Sequence, residues 1–138
     1  MSVTLVAGSR TITDEGFVFE ALDNAYNAPH MRIITEVIQG KAPGVDRLAA
    51  RWAKRNGLPW IDYGAQWELH GKAAGFIRNQ RMVDVSEQAV VIWDGESRGT
   101  KHTLGLLVKA KKPFVLFVAP LETTQALIAL PEESKTRA

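Results

Sequence analysis

Apolar positions along this chain alternate between two spacings. Crowded runs of β-branched and other apolar residues, Ser2 to Ala7, Ile33 to Ile38, Pro59 to Tyr63, Ala89 to Trp93 and Pro113 to Val118, predict strands. Between them the spacing turns helical. Val18, Ala21, Leu22 and Ala25 form one stripe behind an N-cap at Asp14, and Pro29 and His30 end that helix. Val45, Leu48, Ala49, Trp52 and Ala53 form a second stripe, with Arg47, Arg51, Lys54 and Arg55 outside it and Gly57 as terminator. A third helix follows from Gly71, with Arg78 and Asn79 at its centre, and a fourth spans Thr100 to Lys111 with Leu104, Leu107 and Val108 inward. Gly64 to His70 is expected to be a loop carrying Trp67, Leu121 to Leu130 a short last helix, and residues 131–138 a disordered polar tail.

Strand and helix thus alternate about five times, which predicts a single α/β domain over residues 1–130: an about five-stranded parallel sheet with helices on both faces. Ligands in such sheets sit beyond the carboxyl ends of the strands. Three glycine-bearing turns are expected there: Gly8-Ser9-Arg10, Gly40 to Asp46, and Gly95 to Thr100.

Composition narrows the function classes. The 138 residues carry 17 basic and 15 acidic side chains, a weak and scattered excess where a duplex binder needs a basic stripe. Nucleic acid is therefore not expected as a partner. No apolar run reaches the length of a membrane span, and the first residues lead straight into a strand, so a cytoplasmic location is expected. With no cysteine, disulfides and thiolate metal sites are excluded; His70 and His102 stand alone, so no metal and no cofactor is expected.

The chemistry-bearing residues gather in the turns and the third helix. Neither the P-loop nor the dinucleotide glycine fingerprint is present. The turn Gly95, Ser97, Arg98, Gly99 and Thr100 opens the fourth helix, where unpaired amides and the helix dipole favour an anion, although its glycines also suit a plain tight turn. Gly71, Gly75, Arg78 and Met82 fall on one helix face; either that face packs closely on the sheet, or a ligand crosses bare backbone with Arg78 as clamp. Asp46 opens the second helix, where capping is the default role and binding of ribose hydroxyls the alternative. Trp67 is either a base-stacking platform or part of the core.

These residues carry a likeness. The order G-S-R at Gly8, G-x-A-x-G-x-D-x-x-A-x-x-W-A from Gly40, W-x-x-x-G-x-x-A-G-x-x-R-N-x-x-M from Trp67 and G-x-S-x-G-T from Gly95 resembles the YspA-like, cpYpsA-related branch of the SLOG superfamily. The resemblance implies a Rossmann-like domain for nucleotides or nucleotide-derived ligands, in bacteria and phages, usually as a homodimer or higher homo-oligomer. More distantly the chain is similar to the Lonely Guy phosphoribohydrolases. Arg78 and Met82 match their R-K-x-x-M helix, and Gly95, Gly99 and Thr100 match parts of their P-G-G-x-G-T-x-x-E turn. Their catalytic glutamate falls on Thr103 here.

The first expectation is therefore a binding module that senses or sequesters an ADP-ribose, NAD or cyclic-nucleotide type of ligand. Phosphate would rest on the Ser97 to Thr100 amides and the Gly8 to Arg10 turn, neutralised by Arg78 and Arg98. Gly40, Gly44, Gly75 and Asn79 complete the expected ligand-binding set. The alternative is a nucleoside 5′-monophosphate N-glycosidase in which Arg78 is the clamp and Asp46, Asp94 or Glu96 replaces the glutamate. A third alternative, single-stranded DNA binding, lacks a series of aromatic residues to stack on.

Overall fold

The apolar runs form β1 (Ser2–Gly8), β2 (Ile34–Gln39), β3 (Trp60–Asp62), β4 (Gln88–Trp93) and β5 (Phe114–Val118) in the computed structural model, which describes residues 2–119 and 125–128. A sixth strand, β6 (Gln125–Ile128), closes one side of a sheet ordered β3-β2-β1-β4-β5-β6. All neighbours pair in parallel except β5 and β6, which are antiparallel. The chain is thus a single α/β domain around a five-strand parallel sheet with one antiparallel addition. The helix expected over Leu121 to Leu130 is corrected at residues 125–128. A short apolar run suits either element, and here it satisfies the open backbone edge of β5. The expected disordered tail lies outside the described residues.

Helices α1 (Glu15–Tyr26) and α2 (Val45–Arg55) cover one face of the sheet, where Val18, Leu22, Leu48 and Trp52 pack with Val6, Val90 and Ile92. Helices α4 (Ala74–Val85) and α5 (Arg98–Lys109) cover the other, where Met82, Val83 and Leu107 meet Leu5, Ala7 and Val91. Both faces of β1 and β4 are therefore dry, which is why their sequences are apolar at consecutive positions. Asp14 caps α1 as expected, accepting a hydrogen bond from the Phe17 amide at 3.1 Å.

Two boundaries differ from the expected ones in ways that matter for the site. Trp67 does not lie in a loop: it starts a short helix, α3 (Trp67–His70). Gly71 then takes φ +59 and leads through a 3-10 turn (Gly71–Ala73) into α4. Gly71 therefore does not share a helix face with Gly75 and Arg78; it is the break that lets α4 start in a new direction.

The carboxyl end of α4 is held from outside. Lys112 donates its ammonium protons to the carbonyls of Val83, Asp84 (3.1 Å) and Ser86 (2.6 Å). Helix-end carbonyls lack intrahelical donors, and a cation there also opposes the negative end of the helix dipole. We expect Lys112→Met to destabilise the protein by about 1–3 kcal/mol in urea unfolding, because it keeps the stem and removes the charged hydrogen bonds. A change within about 0.5 kcal/mol shows that water substitutes for the ammonium.

Candidate functional site

β1 is the point from which the crossovers diverge, to β2 on one side and to β4 on the other. Parallel sheets open a crevice there. A cavity of about 630 Å³ occupies it, walled by the loops after β1 and β4 and by α4.

Two interlocks shape the walls. The first joins the loops after β1 and β4. Ser9 is fully buried; its amide donates to the Ile92 carbonyl at 3.0 Å, and its hydroxyl accepts from the Asp94 amide at 2.9 Å. Asp94 Oδ1 accepts from the amides of Glu96 and Ser97, both at 2.8 Å, while Oδ2 accepts from the Thr11 hydroxyl at 2.8 Å. Those amides, followed by the hydroxyls, hold its pKa down at about 2.

The second interlock joins the loop after β2 to α4. Asp46 does not cap its helix, which is the default role of a carboxylate at that position. Instead Gly44, at φ +78, precedes the helix, and the Asp46 side chain turns back to accept from the amides of Gly40 (3.1 Å) and Ala42 (3.3 Å). Arg78 approaches the same loop from α4, donating through Nη1 to the Gly40 carbonyl at 2.6 Å and through Nε to Asn79 Oδ1 at 2.9 Å. Gly40 lies between the two charges: an added Cβ would stand 2.7 Å from Arg78 Nη1 and 2.9 Å from Asp46 Oδ2.

Burial dominates the electrostatics here. Desolvation pushes the Asp46 pKa up to about 6, although the amides and the charges of Arg78 and Arg10 oppose the shift. The Arg78 pKa is lowered, first by burial and then by Arg10, with Asp46 acting the other way. Burial also lowers the pKa of His102, so its imidazole is neutral near pH 7. His102 stacks on Phe76 with ring centroids 4.2 Å apart, and its Nδ1 lies 3.4 Å from Asn79 Nδ2.

The cavity brings together most of the residues expected from the sequence. Gly8, Arg10, Asp46 and Trp67 line it, as do Gly75, Arg78 and Asn79 on α4 and Glu96, Ser97, Gly99 and Thr100 beside α5. Ser9, Gly44, Gly95 and Arg98 are not in the lining. Ser9 is consumed by the first interlock. Gly44 serves close packing, since a Cβ there would meet the carbonyls of Ser9 and Arg10 at 2.6 Å. Gly95, at φ +84, makes the turn, and the Arg98 side chain is exposed. Gly40 lines an adjoining chamber instead.

Two expected contacts are replaced. Arg78 reaches the Gly40 turn, not the Gly95 to Thr100 turn; it is Asn79 that reaches the latter, donating to the Gly99 carbonyl at 3.4 Å. The Ser97 and Thr100 amides are also engaged within the protein, by Asp94 and by the Ser97 hydroxyl at 3.4 Å. The first-turn amides of Arg98 and Gly99 keep no partner among the described residues. Nor is the cavity positive overall, because Arg10, Lys72 and Arg78 face Asp46, Asp94 and Glu96. Thr103, in the glutamate position, also lines the cavity and donates its hydroxyl to the Gly99 carbonyl at 3.2 Å.

Sequence reasoning missed Thr11, Lys72 and Phe76 in the lining. Phe76 carried a usable signal, an apolar residue one turn before Asn79 on the same face of the helix. Among the described residues no cluster of three or more His, Asp or Glu side chains is placed to hold a metal, and no helix is long and apolar enough to cross a membrane.

Comparison with known proteins agrees with this architecture. The family described as YspA, cpYpsA-related SLOG matches residues 3–70, the segment from β1 through α3. The "Gene 61 protein" of Mycobacterium phage D29 is 34% identical over 125 residues, covering 85% of this chain and 97% of that protein.

The raised Asp46 pKa makes stability depend on pH. An acid whose folded pKa lies above its ordinary 3.8 favours folding most when protonated. Its contribution is complete below about pH 4 and is lost as pH rises through about 6, to the extent of about 3 kcal/mol. We expect Asp46→Asn to gain stability relative to the parent between pH 4 and pH 7 in urea unfolding. A difference that is flat over that range shows that Asp46 ionises as freely in the fold as out of it.

Proposed function

We propose, for a chain that belongs to the YspA, cpYpsA-related SLOG family, that the cavity holds a nucleotide or nucleotide-derived ligand and that the protein senses or sequesters it. The carrying observation is the combination of groups in one crevice at the divergence of the crossovers. A volume of about 630 Å³ is in the range of small-molecule sites and accepts a ligand the size of a nucleotide. Aromatic surfaces at Trp67 and Phe76 suit a base, and both are about half exposed, so stacking there removes apolar area from water. The carboxylates of Asp46, Asp94 and Glu96 accept from ribose hydroxyls, while Arg10 and Arg78 neutralise phosphate. Gly99 has open space where a side chain would stand, so a ligand can approach its backbone. Candidate ligands are of ADP-ribose, NAD or cyclic-nucleotide type.

One observation favours a second function, hydrolysis of the N-glycosidic bond of a nucleoside 5′-monophosphate. Asp46 is a buried carboxylate with a raised pKa beside a guanidinium in the cavity wall. Such a group can stabilise oxocarbenium character at C1′ while water adds there and the base leaves with a proton. Asp94 suits that role poorly, because its oxygens are already engaged by two amides and a hydroxyl.

A thermal-shift panel of nucleoside monophosphates, cyclic nucleotides, NAD and ADP-ribose tests both. One class should raise Tm by several degrees, since ligand at 100 times its Kd adds about 2.7 kcal/mol. Gly99→Leu, which the fold accommodates but which fills the cavity, should abolish the shift. No shift with any compound removes the binding function. Release of free base that is lost in Asp46→Asn establishes the hydrolase instead.

A further inference from the structure

The cavity adjoins a smaller chamber of about 350 Å³, and the two differ in charge. Arg10, Ala42, Trp67 and Arg78 line both; the Gly40 to Pro43 loop, Gly64 and Ala65 complete the smaller one. The lining of the smaller chamber carries three cations, Arg10, Lys41 and Arg78, and no carboxylate. In the larger cavity three carboxylates offset the cations.

These cations are poorly neutralised. The side chains of Arg10 and Lys41 take part in no hydrogen bond or salt bridge among the described residues, whose two surface ion pairs lie elsewhere. Arg10 and Arg78 are close enough to repel one another. Asp46 is close enough to act on both guanidinium groups, but its Oδ2 is already engaged by the Gly40 and Ala42 amides. Lys41 holds φ +61, a conformation that costs lysine more than glycine, with its amide fixed by Gln39 Oε1 at 2.6 Å. Its stem runs along Gly64 on the chamber wall, 3.8 Å from where a Cβ would stand. Two guanidinium groups and an ammonium around a concave space match the oxygens of a diphosphate, and no carboxylate lines that space to compete for them.

The first turn of α5 is the less suitable place. Of the amides from Glu96 to Thr100, those of Glu96, Ser97 and Thr100 are engaged by side chains of the protein, which leaves only Arg98 and Gly99, and the Asp94 carboxylate stands beside them.

We infer that the phosphates of the ligand sit in the Arg10–Lys41–Arg78 chamber, and that the ligand is a nucleoside diphosphate or diphosphate-linked nucleotide whose sugar and base occupy the larger cavity. This rests on the nucleotide-binding function proposed above. It assigns that site a ligand class and moves the phosphate away from the glycine turn before α5.

Isothermal titration of the full chain with pyrophosphate, ADP, ADP-ribose and adenosine separates the possibilities, using Arg10→Met, Lys41→Gln and Gly99→Leu. Arg10 is exposed and Gly99 has open space above it, so these two variants keep the fold; a Tm control covers all three. Pyrophosphate should bind the parent, and Arg10→Met and Lys41→Gln should each weaken it about tenfold or more. Gly99→Leu should leave pyrophosphate unchanged while weakening ADP or ADP-ribose. ADP or ADP-ribose binding that is indifferent to Lys41→Gln overturns the chamber assignment and leaves the nucleotide function standing. Pyrophosphate binding that depends on Lys41, with no nucleotide bound, keeps the chamber as an anion site but overturns the diphosphate-nucleotide assignment and the nucleotide function. Failure of every compound overturns both.

Discussion

Asp46 and Arg78 meet across a residue that has no side chain, and the geometry of the crevice follows from that. The carboxylate holds the amides of Gly40 and Ala42; the guanidinium holds the Gly40 carbonyl. Three elements are thereby tied at one residue: the end of β2, the start of α2 and the middle of α4. The tie is not made for stability. Burial raises the Asp46 pKa in spite of two amides and two nearby positive charges, so desolvation outweighs everything that favours the charge. A ligand that brings a hydroxyl donor to this carboxylate would compensate an existing cost, and an apolar pair of the same volume could not do that.

The loops after β1 and β4 are fixed differently. There a carboxylate with abundant donors, Asp94, is matched to a fully buried hydroxyl, Ser9. Two aspartates within one cavity lining thus lie on opposite sides of the ordinary carboxylate pKa, one lowered by hydrogen bonds and the other raised by dryness. Asp94 behaves as a fixed framework charge. Asp46 is the group whose protonation state the surroundings can still change.

The fold was legible because a buried parallel sheet writes itself into sequence as consecutive apolar residues, and its helices as stripes at helical spacing. The glycine turns were legible for a related reason, since close packing leaves no other residue possible at Gly8 or Gly44. Partnerships between side chains were not. A carboxylate at a helix start can cap or turn back to the preceding loop; here Gly44 takes the N-cap position and Asp46 turns back, which no spacing encodes. The target of Arg78 depended in the same way on where α4 begins, which the φ of +59 at Gly71 sets. At the far side of the sheet, the composition of residues 125–128 fits helix and strand alike, and only the open edge of β5 distinguishes them.

Thr103 shows how the site departs from a glycosidase built on a glutamate after the α5 turn. Its hydroxyl is committed to the Gly99 carbonyl, so it braces the first turn of the helix and offers no charge to the cavity. With no carboxylate on that wall, the negative charge of the crevice lies on Asp46, Asp94 and Glu96, and the chamber beyond Arg78 is lined by cations alone among its charged residues. In the binding mode proposed above, a ligand with hydroxyls at one end and phosphate at the other would therefore be oriented before any contact with its base. Orientation by a charge gradient needs no catalytic group. It is sufficient for a protein whose task is to recognise or hold a metabolite, and it becomes catalytic only if Asp46 stands within reach of the glycosidic carbon.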